Sequence, residues 1–520
     1  MDTQSFRPPG PAGRGDKYLR DVAREVQRAI RTAQRELQFD TLRLDSAGLA
    51  ELSGLLAEFA EDLHNDIGLW RAYEDWNQQW FGMRLPMTEG GADTQAAAIS
   101  TDRVRHLLWV LFTELDPDLT LAPTHADLAH VAEVVADVLA QRMAPIPRNS
   151  GVRLFMATTN EHGWDIKRKL VWLGTKSYLF RTAYRRYLSE QGGGKDDNAI
   201  GETDDFICQE CTQWSGMGVL DLLAGALQLT AEQRTVLRGW YERHAGFYRV
   251  DAVEPEVIRV TNLVNDEPYV VMMGAGPQPF RPAAVIFGSL VSWGGYWYWS
   301  GAQQQFPSMD ASAVADLRRS MITKSPSIVY RYRKDLLAKA EAANERHYRH
   351  FLAHHQGKDL VAYPDGLSMA ADEQRRFRLM YEAEPRETVD RIMAERGLNN
   401  PWPKMTYPDR ILICKDGVGL HYDWQQGVEM MIGFNDIANG FAKRGSNLSE
   451  AEAEGIKEFV RSQSVSPAFV RRMEHEHGDA SLRTAFLLRD RGGEHAVEYL
   501  LRRYKGAAFR TVYPNMSLMQ

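Results

Sequence analysis

Cysteine is scarce: the 520-residue chain has only Cys208, Cys211 and Cys414. A secreted domain stapled by disulfides would carry more, so a reducing compartment fits better. Long apolar runs are missing as well. No stretch reaches the roughly 18 residues that a transmembrane helix needs. Residues 1–15 are rich in Pro, Gly and Arg and lack the apolar core of a secretory signal. The expectation is a cytoplasmic protein that makes no membrane contact, with residues 1–15 as a disordered tail. Charge of one sign is not in excess either. The 62 Lys and Arg face 69 Asp and Glu, a net charge of −7, which argues against attraction of the whole chain to nucleic acid but leaves room for a local basic face. Catalytic signatures are absent too: there is no G-x-x-x-x-G-K-[ST] phosphate loop and no G-x-S-x-G elbow. Gly274-Ala275-Gly276 has the spacing of a dinucleotide fingerprint, but Pro277 and Pro279 stand where its helix would begin. These absences point away from an enzyme.

What is present reads as a large, mainly helical protein. Hydrophobic residues make up 44% and charged residues 25%, enough for about three or four domain-sized cores at roughly 150 residues each. Leu19, Val22, Ala23, Val26, Ile30 and Ala33 recur at steps of three and four, the stripe of an amphipathic helix. Similar stripes follow from Ser46, over 68–80, 102–115 and 125–143, so residues 16–145 are expected to form a helical bundle. Residues 146–245 continue helical, with a helix over 164–187 that Gly174 could interrupt and a flexible linker near 192–198. Residues 246–306 change character. Runs at 247–253, 257–263, 269–273, 285–291 and 296–300 read as five strands, and Gly294-Gly295 supplies the positive φ of a two-residue hairpin. Helix resumes over 307–400, in pieces near 312–321, 328–355 and from a Ser368 cap. Residues 401–520 read as mixed, with a second hairpin predicted from 410–414 and 418–422. The fold class expected is α+β, predominantly α, with helical terminal regions flanking a small five-stranded SH3-like or OB-like β-unit.

Gly68-Leu69-Trp70, Leu85-Pro86 and His106-Leu107-Leu108-Trp109 resemble the opening of an uncharacterised bacterial family, classed as a domain of unknown function. Its members show Gly-Ile-Trp, Leu-Pro-Phe and Phe-Leu-Leu-Trp in that order, and this chain departs at Leu69, Met87 and His106. The family has no assigned activity, so the resemblance implies no functional residue.

Three places could carry chemistry. The hairpin rings Trp293, Tyr296, Trp297, Tyr298 and Trp299 come first. Alternation puts Tyr296 and Tyr298 on one side of the strand and Trp297 and Trp299 on the other. One side must close a core, and the other could face a partner. A protein partner is the leading expectation, which makes the chain a non-enzymatic binding or assembly protein that docks through its β-unit. The alternative is nucleic acid, bound by the rings together with Lys167, Arg168, Lys169, Arg181 and Arg185. The second alternative is a metal-dependent enzyme. Cys208 and Cys211 have the spacing of half a zinc site and are expected just before a helix, whose amino-terminal field favours thiolate. His347, His350 and His354 share one helix face without an obvious carboxylate ligand nearby. No cofactor is otherwise predicted, and zinc is the one metal in view.

Overall fold

The stripe from Leu19 to Ala33 forms a helix, Leu19–Ala33, with all six of those residues buried. The computed structural model describes residues 6–35, 44–88, 99–116, 119–192, 199–274, 280–396, 405–425, 427–510 and 513–514. It divides into two units, Met1–Ser308 with Phe486–Ala507, and Met309–Ala485 with Ala508–Gln520. The protein is a mostly helical α+β chain with a central five-stranded mixed sheet. Among the described residues no helix is long and apolar enough to cross a membrane.

In the first unit the expected helices form as Ser46–Asn65, Leu69–Phe81, Thr101–Leu115 and Ala126–Met143. Their starts have local causes: the Asp45 side chain accepts from Gly48 N, and the Ser100 hydroxyl from Arg103 N. Residues 6–15, expected within a disordered tail, are instead held. Arg7 pairs with Glu61 at 2.8 Å, and Trp172 Nε1 donates to the Phe6 carbonyl at 3.0 Å. Composition misses this because a few specific contacts anchor the segment: the Arg7 guanidinium, the Phe6 carbonyl, and the Phe6 ring, over which Arg181 stacks at 4.1 Å. The helix predicted over 164–187 is two helices, Gly163–Lys176 and Arg181–Glu190. It breaks at Ser177, whose backbone is extended, and not at Gly174. Gly174 stays helical, and a Cβ there would come within 2.5 Å of Ile207, so its smallness serves close packing. The linker expected near 192–198 falls largely on 193–198, outside the described residues.

The sheet consists of β1 (His244–Val253), β2 (Val257–Asn262), β3 (Pro268–Met272), β4 (Val285–Trp293) and β5 (Tyr296–Phe306). Pairing runs in the order β1-β2-β3-β5-β4, and β4 also pairs with β1. All contacts are antiparallel except that of β3 with β5, a parallel meeting at the single pair Val271–Trp297. Inward residues, among them Tyr248, Val250, Ile258, Val260, Val271, Ile286 and Leu290, fill its core. Gly294 (φ 57°) and Gly295 (φ 83°) turn the β4–β5 hairpin as their lack of a Cβ allows.

The second unit contains a smaller sheet, ordered β6 (Leu360–Tyr363), β7 (Val418–Asp423) and β8 (Gly427–Ile432). The hairpin predicted from 410–414 and 418–422 does not form. Asp409–Leu412 is a helical turn, and β7 pairs with β8 and β6. The run Arg410-Ile411-Leu412-Ile413-Cys414 is apolar without alternation, so its periodicity never specified a two-faced strand. The helix expected over 328–355 is split into Pro326–Tyr332 and Lys334–His354, and the helix Gly366–Glu382 is capped by Asp365, which accepts from Ser368 N at 2.7 Å. Ser449 and Glu452 form a capping box for the helix Glu450–Arg461, and Pro467 opens the helix Pro467–His477 behind its Ser466 cap.

Candidate functional site

Strand alternation does divide the rings of β5, and both sides are largely used in packing. Trp297 lies against His244 and Tyr269, with ring centroids 4.6 and 4.8 Å away, and Trp299 against Tyr248 at 5.7 Å. Both are half-buried on the sheet's own core. On the other side Tyr298 is buried against Trp164 and the bare Cα of Gly163, where a Cβ would stand 2.5 Å from the tyrosine ring. Trp293 is buried, donating Nε1 to the Asn160 carbonyl at 2.8 Å. Of the five rings named from sequence, Tyr296 alone is exposed, at 41%.

The outer face of β1, β4 and β5 is therefore split. Its hairpin end lies under helices. Its far end carries Phe247, Phe287 and Phe306, which sequence reading passed over. Phe247 and Phe287 are direct cross-strand partners with rings 4.8 Å apart, and Phe306 lies 6.1 Å from Phe247. Phe287 is 37% exposed. The available signal was the alternation of β4, in which Phe287 follows the inward Ile286.

A charged group pins the covered end. Lys167 Nζ donates to Ser300 Oγ at 2.8 Å and pairs with Asp204, which also receives Arg243. Burial pushes the Asp204 carboxyl up, but Lys167 and Arg243 together outweigh it and hold the group below its ordinary range. The remaining cations of the basic set are engaged as well. Arg168 meets Asp165 at 3.0 Å, Arg181 meets Glu58 at 2.7 Å, and Arg185 meets Glu51 at 2.5 Å. Lys169 Nζ donates to the Thr158 carbonyl at 2.7 Å and to Asn160 Oδ1 at 2.5 Å, and burial lowers its pKa to about 8.

The metal set is divided between the two units. Cys208 and Cys211 belong to the first unit, and His347, His350 and His354 to the second. Cys208 lies in the last turn of the helix Ile200–Gln209, not ahead of a helix. The field there disfavours a thiolate, and burial pushes the thiol up further. Among the described residues the three histidines do not form a group with donor atoms within 4.8 Å of one another: the His347 ring sits 6.2 Å from Phe377, while His354 Nε2 lies 3.2 Å from Asp372 Oδ1. The carboxylate that sequence reading did not find comes from the next helix.

Two of the three short motifs near the amino terminus take part in buried polar contacts. Asp62 accepts from the backbone N–H of Gly68, Leu69 and Trp70 at 2.6–3.1 Å and from the Tyr178 hydroxyl at 2.8 Å. Trp70 Nε1 donates to Glu74, which holds Arg103 through two bonds of 2.6 and 2.9 Å. His106 lies between Tyr73 and Thr88 hydroxyls, each at 2.6 Å. Every one of these side chains is buried. A neighbouring cavity, lined by Phe6, Arg7, Glu61 and Asp62, measures only about 20 Å³, room for about one water. These contacts tie the helices of the first unit together. Residues 15–211, which hold all three motifs, match the family model described as a protein of unknown function (DUF3843). No curated protein and no solved structure matches the chain.

Proposed function

We propose that the chain is a non-enzymatic binding or assembly protein that docks a protein partner through its β-unit. The observation that carries this reading is the Phe247–Phe287–Phe306 cluster, three neighbouring rings on the outer face of the sheet, with Phe287 exposed and the other two half-buried. A partly exposed aromatic cluster of this kind favours contact with another apolar surface. The strand order with its one parallel seam fits the OB-like reading of the unit better than the SH3-like one. The nucleic-acid alternative has less to rest on. Lys167, Arg168, Lys169, Arg181 and Arg185 all have protein partners, so binding phosphate would first require breaking those contacts.

The test is capture on the immobilised full chain, comparing wild type with Phe287→Ser and Phe247→Ser. A protein retained in stoichiometric amount by wild type and lost from both variants, with their circular dichroism unchanged, is the expected result. Equal capture by all three would remove the role of this face. Nuclease-sensitive retention would favour the nucleic-acid alternative instead.

A further inference from the structure

The helix Lys334–His354 ends on two consecutive histidines. In a continuing helix adjacent side chains point about 100° apart. Here the helix stops at His354, and Gln356 (φ 57°) and Gly357 (φ 84°) turn the chain away. The rings of His354 and His355 consequently stand 4.7 Å apart and nearly perpendicular. Asp372, from the helix Gly366–Glu382, faces both. Its Oδ1 is 3.2 Å from His354 Nε2, and its Oδ2 is 3.9 Å from His355 Nδ1. One donor atom from each of the three lies within 4.8 Å of the other two.

His355 supplies an independent observation. Its side chain is only 8% exposed and lies between two carboxylates, Asp372 and Glu373, each 3.9 Å away. Its buried Nε2 has no hydrogen-bond partner among the described residues. An imidazole buried beside acidic groups but bonded to neither by that nitrogen is under-satisfied, and native proteins rarely leave a buried polar atom so. Glu373 is fixed in turn by Arg376 through bonds of 2.7 and 2.8 Å.

We propose that His354, His355 and Asp372 bind one divalent transition-metal ion. Two imidazoles and a carboxylate suit Zn²⁺ or Fe²⁺ and are poor ligands for Mg²⁺ or Ca²⁺. Bonds of about 2.0–2.1 Å in tetrahedral array place ligand atoms about 3.3 Å apart; His354 Nε2 and Asp372 Oδ1 already stand at 3.2 Å, and only His355 Nδ1, 3.9 Å from the other carboxylate oxygen, has to draw in. Glu373 is then the outer carboxylate that takes the His355 Nε2–H and fixes the ring. The Tyr363 hydroxyl, donating to Asp372 Oδ2 at 2.8 Å, steadies the acid. Arg375 also donates to Oδ1 at 2.6 Å, from a side chain that is mostly exposed and free to swing into water. The carboxy-terminal end of the histidine helix contributes a negative field that favours a cation.

The full chain, stripped with chelator, is titrated with ZnCl₂ against a chromophoric chelator and separately with CoCl₂. Expected are one equivalent bound and visible cobalt bands without sulfur-to-metal charge transfer. Asp372→Asn and His355→Asn weaken binding at least tenfold with unchanged circular dichroism, while His347→Ala leaves it unaltered. Absence of stoichiometric binding, or wild-type affinity in both ligand variants, would reduce the group to a hydrogen-bonded His–Asp cluster. Should those variants misfold, the cobalt spectrum of the unaltered chain decides by itself. Thiolate charge transfer there would place the metal on cysteine and overturn the assignment.

Discussion

His106 is sealed between two hydroxyls in the first unit and must stay neutral. Burial is the main cause, with Arg503 and Arg105 adding to it, and together they lower its pKa to about 3. An unfolded histidine takes up its proton near 6.5. Its contribution to stability is therefore complete above that value and is lost as pH falls toward 3, with a slope approaching about 1.4 kcal/mol per pH unit. Urea titrations between pH 4 and 7 should show this slope in wild type and about one proton less in His106→Gln. Glu114 works in the other direction. Burial raises it to about 7, partly offset by Arg186 and Arg503, so wild type loses stability as pH rises from about 4.5 through 7. Glu114→Gln should gain on the order of 3 kcal/mol over wild type between pH 4.5 and 8, measured by the same titrations. Gly163→Ala drives a methyl into the Tyr298 ring and should cost about 1–3 kcal/mol, read from the urea midpoint. None of the three environments was legible in sequence: His106 appeared only as a departure from a motif, Glu114 as a residue of the helix expected over 102–115, and Gly163 just ahead of the one expected over 164–187.

At the scale of elements, Asp204 is the tie between the helix Ile200–Gln209 and β5. Its carboxylate answers Lys167, Arg243 and the Ser300 hydroxyl at once. Asp204→Ala leaves Lys167 without its carboxylate and Arg243 with Asp205 alone, and should destabilise the first unit by about 3 kcal/mol. Denaturation followed by the fluorescence of Trp240 and Trp293, which lie 6.2 Å apart at this end of the sheet, reports the loss. Elements with a local cause were readable. The five strands showed alternation, the hairpin showed Gly294-Gly295, and the helices showed stripes and caps. β6 and β8 were not, because each is short and owes its strand state to pairing with β7. The Ser177 break was hidden for a similar reason, since a glycine three residues earlier looked like the better breaker.

For the whole molecule, a net charge of −7 combined with satisfied cations sets the behaviour toward polyanions. The full chain should pass through a heparin column at about 0.15 M salt without retention, and retention would show that the paired cations open readily. The sequence by itself determined the class of protein, mostly helical with one inserted five-stranded unit. Periodicity and capping are exchanges among residues a few positions apart, and the chain states them directly. Tertiary structure alone decided which rings meet water and which acids meet histidines. Ser300 closes against Lys167 across 133 positions, and His354 reaches Asp372 across 18. Such pairs form only after helices and strands have packed, when burial replaces water by whichever partner the fold has brought within about 3 Å.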